Sequence, residues 1–256
     1  MHPWADVRMD AHGEARGMNH FPQGRVVLAA QNLVVSYADH TALAGVSLSI
    51  SAGESVAIMG PSGSGKTTLL HALAGILPPS GGDITVSTGP APLRLAGLGE
   101  SERSRLRREE FGFVFQQGFL IPELTVVENV ALPLLLAGHA RRSAEADASV
   151  WLAKLGLGGL EKRRIGELSG GQAQRVAIAR AQVTGAGVIF ADEPTGALDS
   201  VTSTEVMSAL LEVTADGSRA LVVVTHDEQV AARCSRTVRL RDGRLDVVGA
   251  TSEVSA

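Results

Sequence analysis

The spacing of apolar residues changes several times along this chain, and each change predicts an element. "VVLAAQNLVVSY" (Val26 to Tyr37) and "VSLSI" (Val46 to Ile50) are β-branched and partly alternating, which predicts antiparallel strands. "ESVAIMG" is short and continuously apolar, the pattern of a buried strand. It runs into "PSGSGKTTLLHALAGIL", where Leu69, Leu70, Leu73, Ile76 and Leu77 recur at helical spacing. Pro78-Pro79 is expected to stop that helix. "DITV" predicts a short strand, and residues 87–99, rich in glycine and proline, a loop.

Further on, "ESERSRLRREE" alternates charge signs and predicts a solvated helix. "FGFVFQ" is strand-like. From Leu120 to Gly166 the pattern is helical, with polar breaks at Gly138–Ser143 and Gly156–Gly159. Then follow the helix "AQRVAIARAQV", the strand "GVIFAD", the helix "STEVMSALLEV", the strand "RALVVVTH" and the helix "DEQVAARC". "TVRLRDGRLDVV" reads as a hairpin around Asp242-Gly243.

Strands that alternate with helices predict an α/β fold, a mostly parallel sheet with helices on both faces. The first strands add an N-terminal antiparallel β subdomain. Residues 95–168 break the alternation and are expected to form an inserted helical subdomain. The expected domain spans 25–248, its core being 25–94 and 169–248, between tails at 1–24 and 249–256. Met18 is an alternative start.

Composition changes this picture little. The chain has 256 residues, 45% hydrophobic and 20% charged, ordinary values for a globular protein. A net charge of −4 without a long basic block gives no electrostatic footprint for nucleic acid. Cys234 is the single cysteine, which excludes an internal disulfide and a multi-cysteine metal site. The first 24 residues are polar and lack the apolar core of a signal peptide. The longest apolar run, Val130 to Gly138, contains Pro133 and falls short of the roughly 20 residues of a spanning helix, so no direct membrane insertion is expected.

Candidate chemistry begins at "GPSGSGKT", Gly60 to Thr67, which fits G-x-x-x-x-G-K-[ST] between a predicted strand and helix. The glycines let successive N–H groups turn toward a phosphate, and the helix dipole adds to the attraction. Lys66 supplies a point charge for the β- and γ-phosphates, and the Thr67 hydroxyl is suited to ligate Mg²⁺. The predicted nucleotide contacts here are Gly60, Pro61, Ser62, Gly63, Ser64, Gly65, Lys66, Thr67 and Thr68. By background composition such a match arises by chance in roughly 1% of chains this long.

"VIFADEP" carries Asp192-Glu193 to the carboxyl end of a strand, the edge where phosphate loops lie in such sheets. Asp192 is suited to hold Mg²⁺ directly or through water, and Glu193 to polarise the attacking water. "VVVTHD" delivers His226 to the same edge. Gln116, closing "FGFVF", is placed to touch the metal or the water and to report the nucleotide's state to the helical insertion. Tyr37, the chain's one tyrosine, is either a core residue or a stacking partner for a purine. A second anion reader stands at "LSGGQ", Leu168 to Gln172. There Ser169, Gly170 and Gly171 cap a helix whose free N–H groups seek an anion.

Tyr37, "GPSGSGKT", Gln116, "LSGGQ", "VIFADE", "GALD" and His226, in this order, resemble the nucleotide-binding subunit of ATP-binding-cassette transporters. The match runs from about Arg25 to Val248. The resemblance implies a P-loop NTPase that binds and hydrolyses ATP with Mg²⁺, with Glu193, His226, Gln116 and Lys66 catalytic. It implies a head-to-tail dimer, of two copies of this chain, in which Ser169, Gly170, Gly171 and Gln172 close on the neighbour's ATP. It assigns Tyr37 to the adenine and Asp199 to the interface. It also implies a transmembrane permease as partner, docked on the 95–168 region at the inner face of the cell membrane. "FGFVFQQGFLIPELTVVENVALPL" and "DEPTGALD" resemble the branch serving lipoprotein release, macrolide or peptide export, and cell division. Ala197 departs from the asparagine common there.

Two other classes fit less well. A cassette ATPase acting on nucleic acid tends to carry a second cassette, a long coiled coil or a zinc module. A small-molecule P-loop kinase leaves "LSGGQ" without a job. A regulatory cassette that signals through a membrane partner, without moving a solute, is the alternative within the family.

Overall fold

The computed structural model describes residues 24–37, 40–89, 91–116 and 118–246. Apart from Gly24, the two expected tails lie outside them. The chain opens with β1 (Val26–Tyr37) and β2 (His40–Ser51), antiparallel along their whole length. β2 begins earlier than its apolar stretch, because "HTALAG" is held by pairing with β1 rather than by its own pattern. β3 (Ser55–Met59) is wholly buried, and α1 (Lys66–Leu73) follows the phosphate loop. This helix stops before Pro78-Pro79, contrary to expectation. Gly75 takes a φ of +63°, and Ile76 N–H reaches back to His71 O at 2.9 Å, a glycine-based helix stop that ends the turn first.

β4 (Gly81–Val86) and β5 (Leu93–Arg94) complete the first sheet, ordered β2-β1-β4-β5. After α2 (Glu100–Glu109) comes β6 (Phe111–Phe115), then α3 (Val126–Leu136), α4 (Arg141–Lys154) and α5 (Gly170–Gln182). β7 (Val188–Asp192), α6 (Ser200–Leu211), β8 (Ala220–Val224), α7 (Glu228–Ala231), β9 (Arg236–Arg241) and β10 (Arg244–Asp246) close the chain. The second sheet is ordered β10-β9-β3-β8-β7-β6, parallel except for β10.

β6 lies inside the 95–168 range expected as a helical insertion, yet it pairs in parallel with β7, Phe111 against Val188 through Phe115 against Asp192. The helical pattern starts only after it. No helix among the described residues is long and apolar enough to cross a membrane.

The central parallel strands β3, β7 and β8 read as apolar runs because both sheet faces are covered there. Val188 and Phe190 of β7 join the core shared with α1 and the antiparallel sheet, whereas Ile189 and Ala191 join the core with α3 through α6. Phe190 is 1% exposed and meets Phe111 edge-on at 5.2 Å. Truncating a ring so enclosed costs about 3–5 kcal/mol. The strand that ends in the acidic pair is therefore fixed from both sides.

Candidate functional site

The carboxyl ends of β3, β7 and β8 open on one edge of the parallel sheet, and the candidate residues gather there. β3 ends at Met59 and the chain turns through Gly60, with φ +154°, Gly63, with φ +79°, and Gly65, with φ +100°. Two of these glycines are also demanded by space. A Cβ on Gly60 would lie 2.1 Å from Leu240 O on β9, and one on Gly65 would lie 2.6 Å from Ala42 O on β2. The cradle is walled by β2 on one side and the C-terminal hairpin on the other.

Pro61, Ser62 and Gly63 form the exposed rim of this loop. Lys66 Nζ folds back on it, donating to Gly60 O at 2.8 Å and Pro61 O at 3.0 Å. Ser64, only 4% exposed, has an Oγ that is buried without a hydrogen-bond partner among the described residues. An orphaned hydroxyl beneath a curl of glycines, at the start of α1 with Thr67 and Thr68 in its first turn, fits an anion with several acceptor oxygens.

Asp192 ends β7, and its Oδ2 accepts from Thr67 Oγ1 at 3.4 Å. Burial, and next the neighbouring Glu193 charge, push its carboxyl above the usual carboxylate range. A hydroxyl beside a carboxylate whose charge is poorly compensated is a hard-oxygen donor set, the chemistry Mg²⁺ takes together with phosphate oxygens and water. Among the described residues no cluster of three or more His, Cys, Asp or Glu could hold a metal. A divalent cation here needs the phosphates as co-ligands.

Glu193 does not continue the strand. Its φ is +45°, its N–H donates to Val224 O at 2.9 Å, and its carbonyl accepts from Gly196 N–H at 3.1 Å. Left-handed backbone at a non-glycine residue is uncommon and gathers at functional sites. The turn swings the carboxylate across to the end of β8, where Oε1 lies 2.8 Å from His226 Nδ1 and Oε2 accepts from Thr225 Oγ1 at 3.4 Å. The bond to Glu193 raises the pKa of His226 above its ordinary value, although this imidazole is largely exposed. Gln116, next after β6, lies alongside: a Cβ on Gly196 would come within 2.9 Å of its Nε2. Lys66, Thr67, Asp192, Glu193, His226 and Gln116 thus share one edge, as their sequence positions predict.

Tyr37 stands apart at the tip of β1, 49% exposed and paired with His40. Two residues before it, Val35 pairs with Leu43, whose Cδ2 lies 3.1 Å from a Cβ placed on Gly65. The ring therefore stands out from the same end of the hairpin that flanks the phosphate loop, which answers the core alternative.

Ser169 is the N-cap of α5. Its Oγ accepts from Gln172 N–H at 3.3 Å while Gln172 Oε1 accepts from Ser169 N–H at 3.0 Å, a reciprocal capping box. That leaves the first-turn N–H of Gly170 at an exposed helix tip, with the buried Gly171 directly behind it. Both glycines also pack on the segment that leads into α6: a Cβ on Gly170 would lie 3.3 Å from Leu198 Cδ2, and one on Gly171 2.2 Å from Thr202 Cγ2. Asp199 caps α6. It accepts from Val201 and Thr202 N–H at 3.0 Å each and from Thr202 Oγ1 at 2.6 Å. The Thr202 hydroxyl bond, foremost, holds its carboxyl below the usual range. Thr202 and Leu240 carry no motif of their own; their parts emerge only when the chain is folded.

The ABC transporter family profile matches residues 43–196. A lipoprotein-releasing system ATP-binding protein LolD of Legionella pneumophila (strain Paris) is 44% identical over 224 residues, 86% of this chain and 97% of that protein. A macrolide export ATP-binding/permease protein MacB of Burkholderia pseudomallei (strain 1710b) is 48% identical over 207 residues, 81% of this chain and 31% of that longer protein. A dimeric ATP-binding cassette solved in a post-hydrolysis state with ADP and Pi superposes with a TM-score of 0.77 at 37% identity, covering 86% of this chain and 96% of that one. The chain belongs to the ABC transporter family. Within it, this ATP-binding cassette is similar to LolD over nearly all of that protein and to part of the longer MacB.

Proposed function

We propose that this cassette hydrolyses Mg²⁺-ATP at two sites, each completed by a second copy of the chain. The observation that carries this reading is the separation of two anion readers. Gly60–Thr67 forms a walled cradle with an orphaned hydroxyl, whereas the Ser169 tip is exposed and its two glycines pack on Leu198 and Thr202, not on that cradle. The second reader is free to serve a neighbour.

Within each site the loop N–H groups and Lys66 bind the β- and γ-phosphates, and the Tyr37 ring stacks on the adenine. Thr67, with Asp192 and Gln116 directly or through water, would hold Mg²⁺, which would supply positive charge to offset that developing on the phosphoryl oxygens. Glu193 orients the attacking water and takes its proton, and His226, hydrogen-bonded to it at 2.8 Å, fixes where that carboxylate points. Asp199, next to the tip, lies at the junction of the two copies.

The cassette drives a separate membrane subunit docked on the helical region after β6, where Phe119, Leu136 and Val150 are exposed by 63%, 64% and 55%. The relatives named for lipoprotein release and macrolide export support a lipid, lipoprotein, peptide or drug as cargo. The cassette then sits at the cytoplasmic face of the membrane.

Mixing subunits tests the shared site. In a Glu193→Gln background, Lys66→Ala chains combined with Ser169→Ala chains leave one intact composite site per mixed dimer. The expected result is one trapped ATP per mixed dimer and almost none with either variant alone. Equal trapping by Ser169→Ala alone would sink the shared-site reading.

A further inference from the structure

α5 does more than present the Ser169 tip. It lies hard against β6: a Cβ on Gly112 would come 2.2 Å from Ala181 O. From this position two of its side chains reach the backbone on either side of Gln116. Gln174, 4% exposed, donates Nε2 to Phe115 O at 3.0 Å. Arg180 donates Nη2 to Gly118 O at 2.6 Å and Nη1 to Phe119 O at 2.7 Å.

Arg180 makes no ion pair among the described residues. Burial depresses its pKa, the mark of a cation held without a counter-charge. A guanidinium in that setting costs stability that an apolar residue of similar size would not. What it holds is itself unusual. Gly118 has φ +67° and Phe119 φ +43°, two consecutive left-handed residues, the second with a side chain. The fork of the guanidinium donates to the carbonyls of both residues.

We propose that Arg180, with Gln174 as the other jaw, is a positioning residue for Gln116, fixing the reach of its amide into the site and tying that reach to the Ser169 tip. The tip and Arg180 are two ends of one helix. Ten residues separate Gly170 from Arg180, about 15 Å along a rigid axis. Movement of the tip against a neighbour's nucleotide is thereby carried to the loop that begins with Gln116. The inference rests on the role given to Gln116 above.

A double-mutant cycle tests it, with steady-state ATP turnover as the readout. Arg180→Met removes the fork at similar volume. We expect kcat to fall by about tenfold to 10²-fold with KM for ATP nearly unchanged, the range for a misplaced group. Arg180→Lys, which keeps the charge and loses the fork, restores only part. In a Gln116→Ala background the same change costs nothing more, because both act on one element. Losses that multiply across the cycle would overturn the inference and leave the role of Gln116 standing. Unchanged turnover in Gln116→Ala alone would overturn both. Should Arg180→Met not fold, Gln174→Met enters the same cycle with the same expectations.

Discussion

His226 Nδ1 and Glu193 Oε1 meet at 2.8 Å although 33 residues separate them, because β7 and β8 are neighbours in the sheet and Glu193 turns back toward β8 with φ +45°. The pair joins a carboxylate suited to take a proton from water to an imidazole that sets its direction. Glu193→Gln keeps the shape and removes the base. Turnover should fall by about 10²–10⁴-fold while nucleotide binding persists. The same variant should elute as a dimer in saturating Mg²⁺-ATP and as a monomer without it. Elution as a monomer in both conditions would contradict the proposed ATP-held dimer.

The same contact gives a pH dependence. Glu193 raises the pKa of His226, so protonated His226 favours the folded state. That contribution is complete below the ordinary value of 6.5 and is lost as pH rises through the raised folded value. The melting temperature of the wild type relative to His226→Gln should therefore decline as pH increases above 6.5. A constant difference across that window would argue against an interacting pair. Because the imidazole is largely exposed, the effect is small and weakens with salt.

Asp192 behaves in the opposite sense. Burial and the Glu193 charge raise its folded pKa above the ordinary 3.8, so ionisation at neutral pH costs stability. Asp192→Asn should raise the melting temperature of the free protein and abolish the further rise that Mg²⁺ adds in the presence of ATP. Scanning calorimetry with and without Mg²⁺-ATP reads both effects. A variant less stable than wild type without ligand would refute the assignment.

Most of the fold was legible because its strands and helices bury different numbers of faces. Val188–Asp192 and Ala220–Val224 read as continuous apolar runs, and α1 and α5 as periodic ones. What periodicity does not contain is which strand lies beside which. Phe111–Phe115 reads as a strand yet falls inside the 95–168 range expected as a helical insertion, because nothing in its pattern says that it forms the edge of the parallel sheet. The phosphate loop, the acidic pair, His226 and the Ser169 tip were legible because each sits at a strand or helix end. Thr225, Thr202, Gln174 and Arg180 were not. Each acts through a backbone or side-chain group far away in the chain, and no local pattern encodes such a contact.

Gly171 illustrates the difference. Its sequence context explains a helix tip; its contact explains why no other residue fits. An alanine Cβ would sit 2.2 Å from Thr202 Cγ2. Gly171→Ala should cost about 1–3 kcal/mol in chemical denaturation, the range for overpacking. Adding Thr202→Ser, which removes that methyl and keeps the hydroxyl on Asp199, should recover most of the loss. No recovery would place the strain elsewhere.

Glu54 and Arg236 form a separate test of the scaffold. Glu54 is 6% exposed, accepts from Arg236 Nε at 2.5 Å and from Ser51 N–H at 2.9 Å, and so ties the end of β2 to β9. Arg236→Met leaves a buried carboxylate unpaired and should cost about 3–5 kcal/mol. The double change Glu54→Gln with Arg236→Met should cost much less. Equal losses would mean that Arg236 contributes by packing alone.

The rear wall of the phosphate cradle is Leu240 O, contributed by β9, 180 residues after Gly60. On the ribosome, the glycine curl leaves the exit tunnel long before its wall has been translated. A nascent chain not yet extended through β9 presents the motif without that wall. The cradle takes its full shape only once β9 has joined β3 in the sheet.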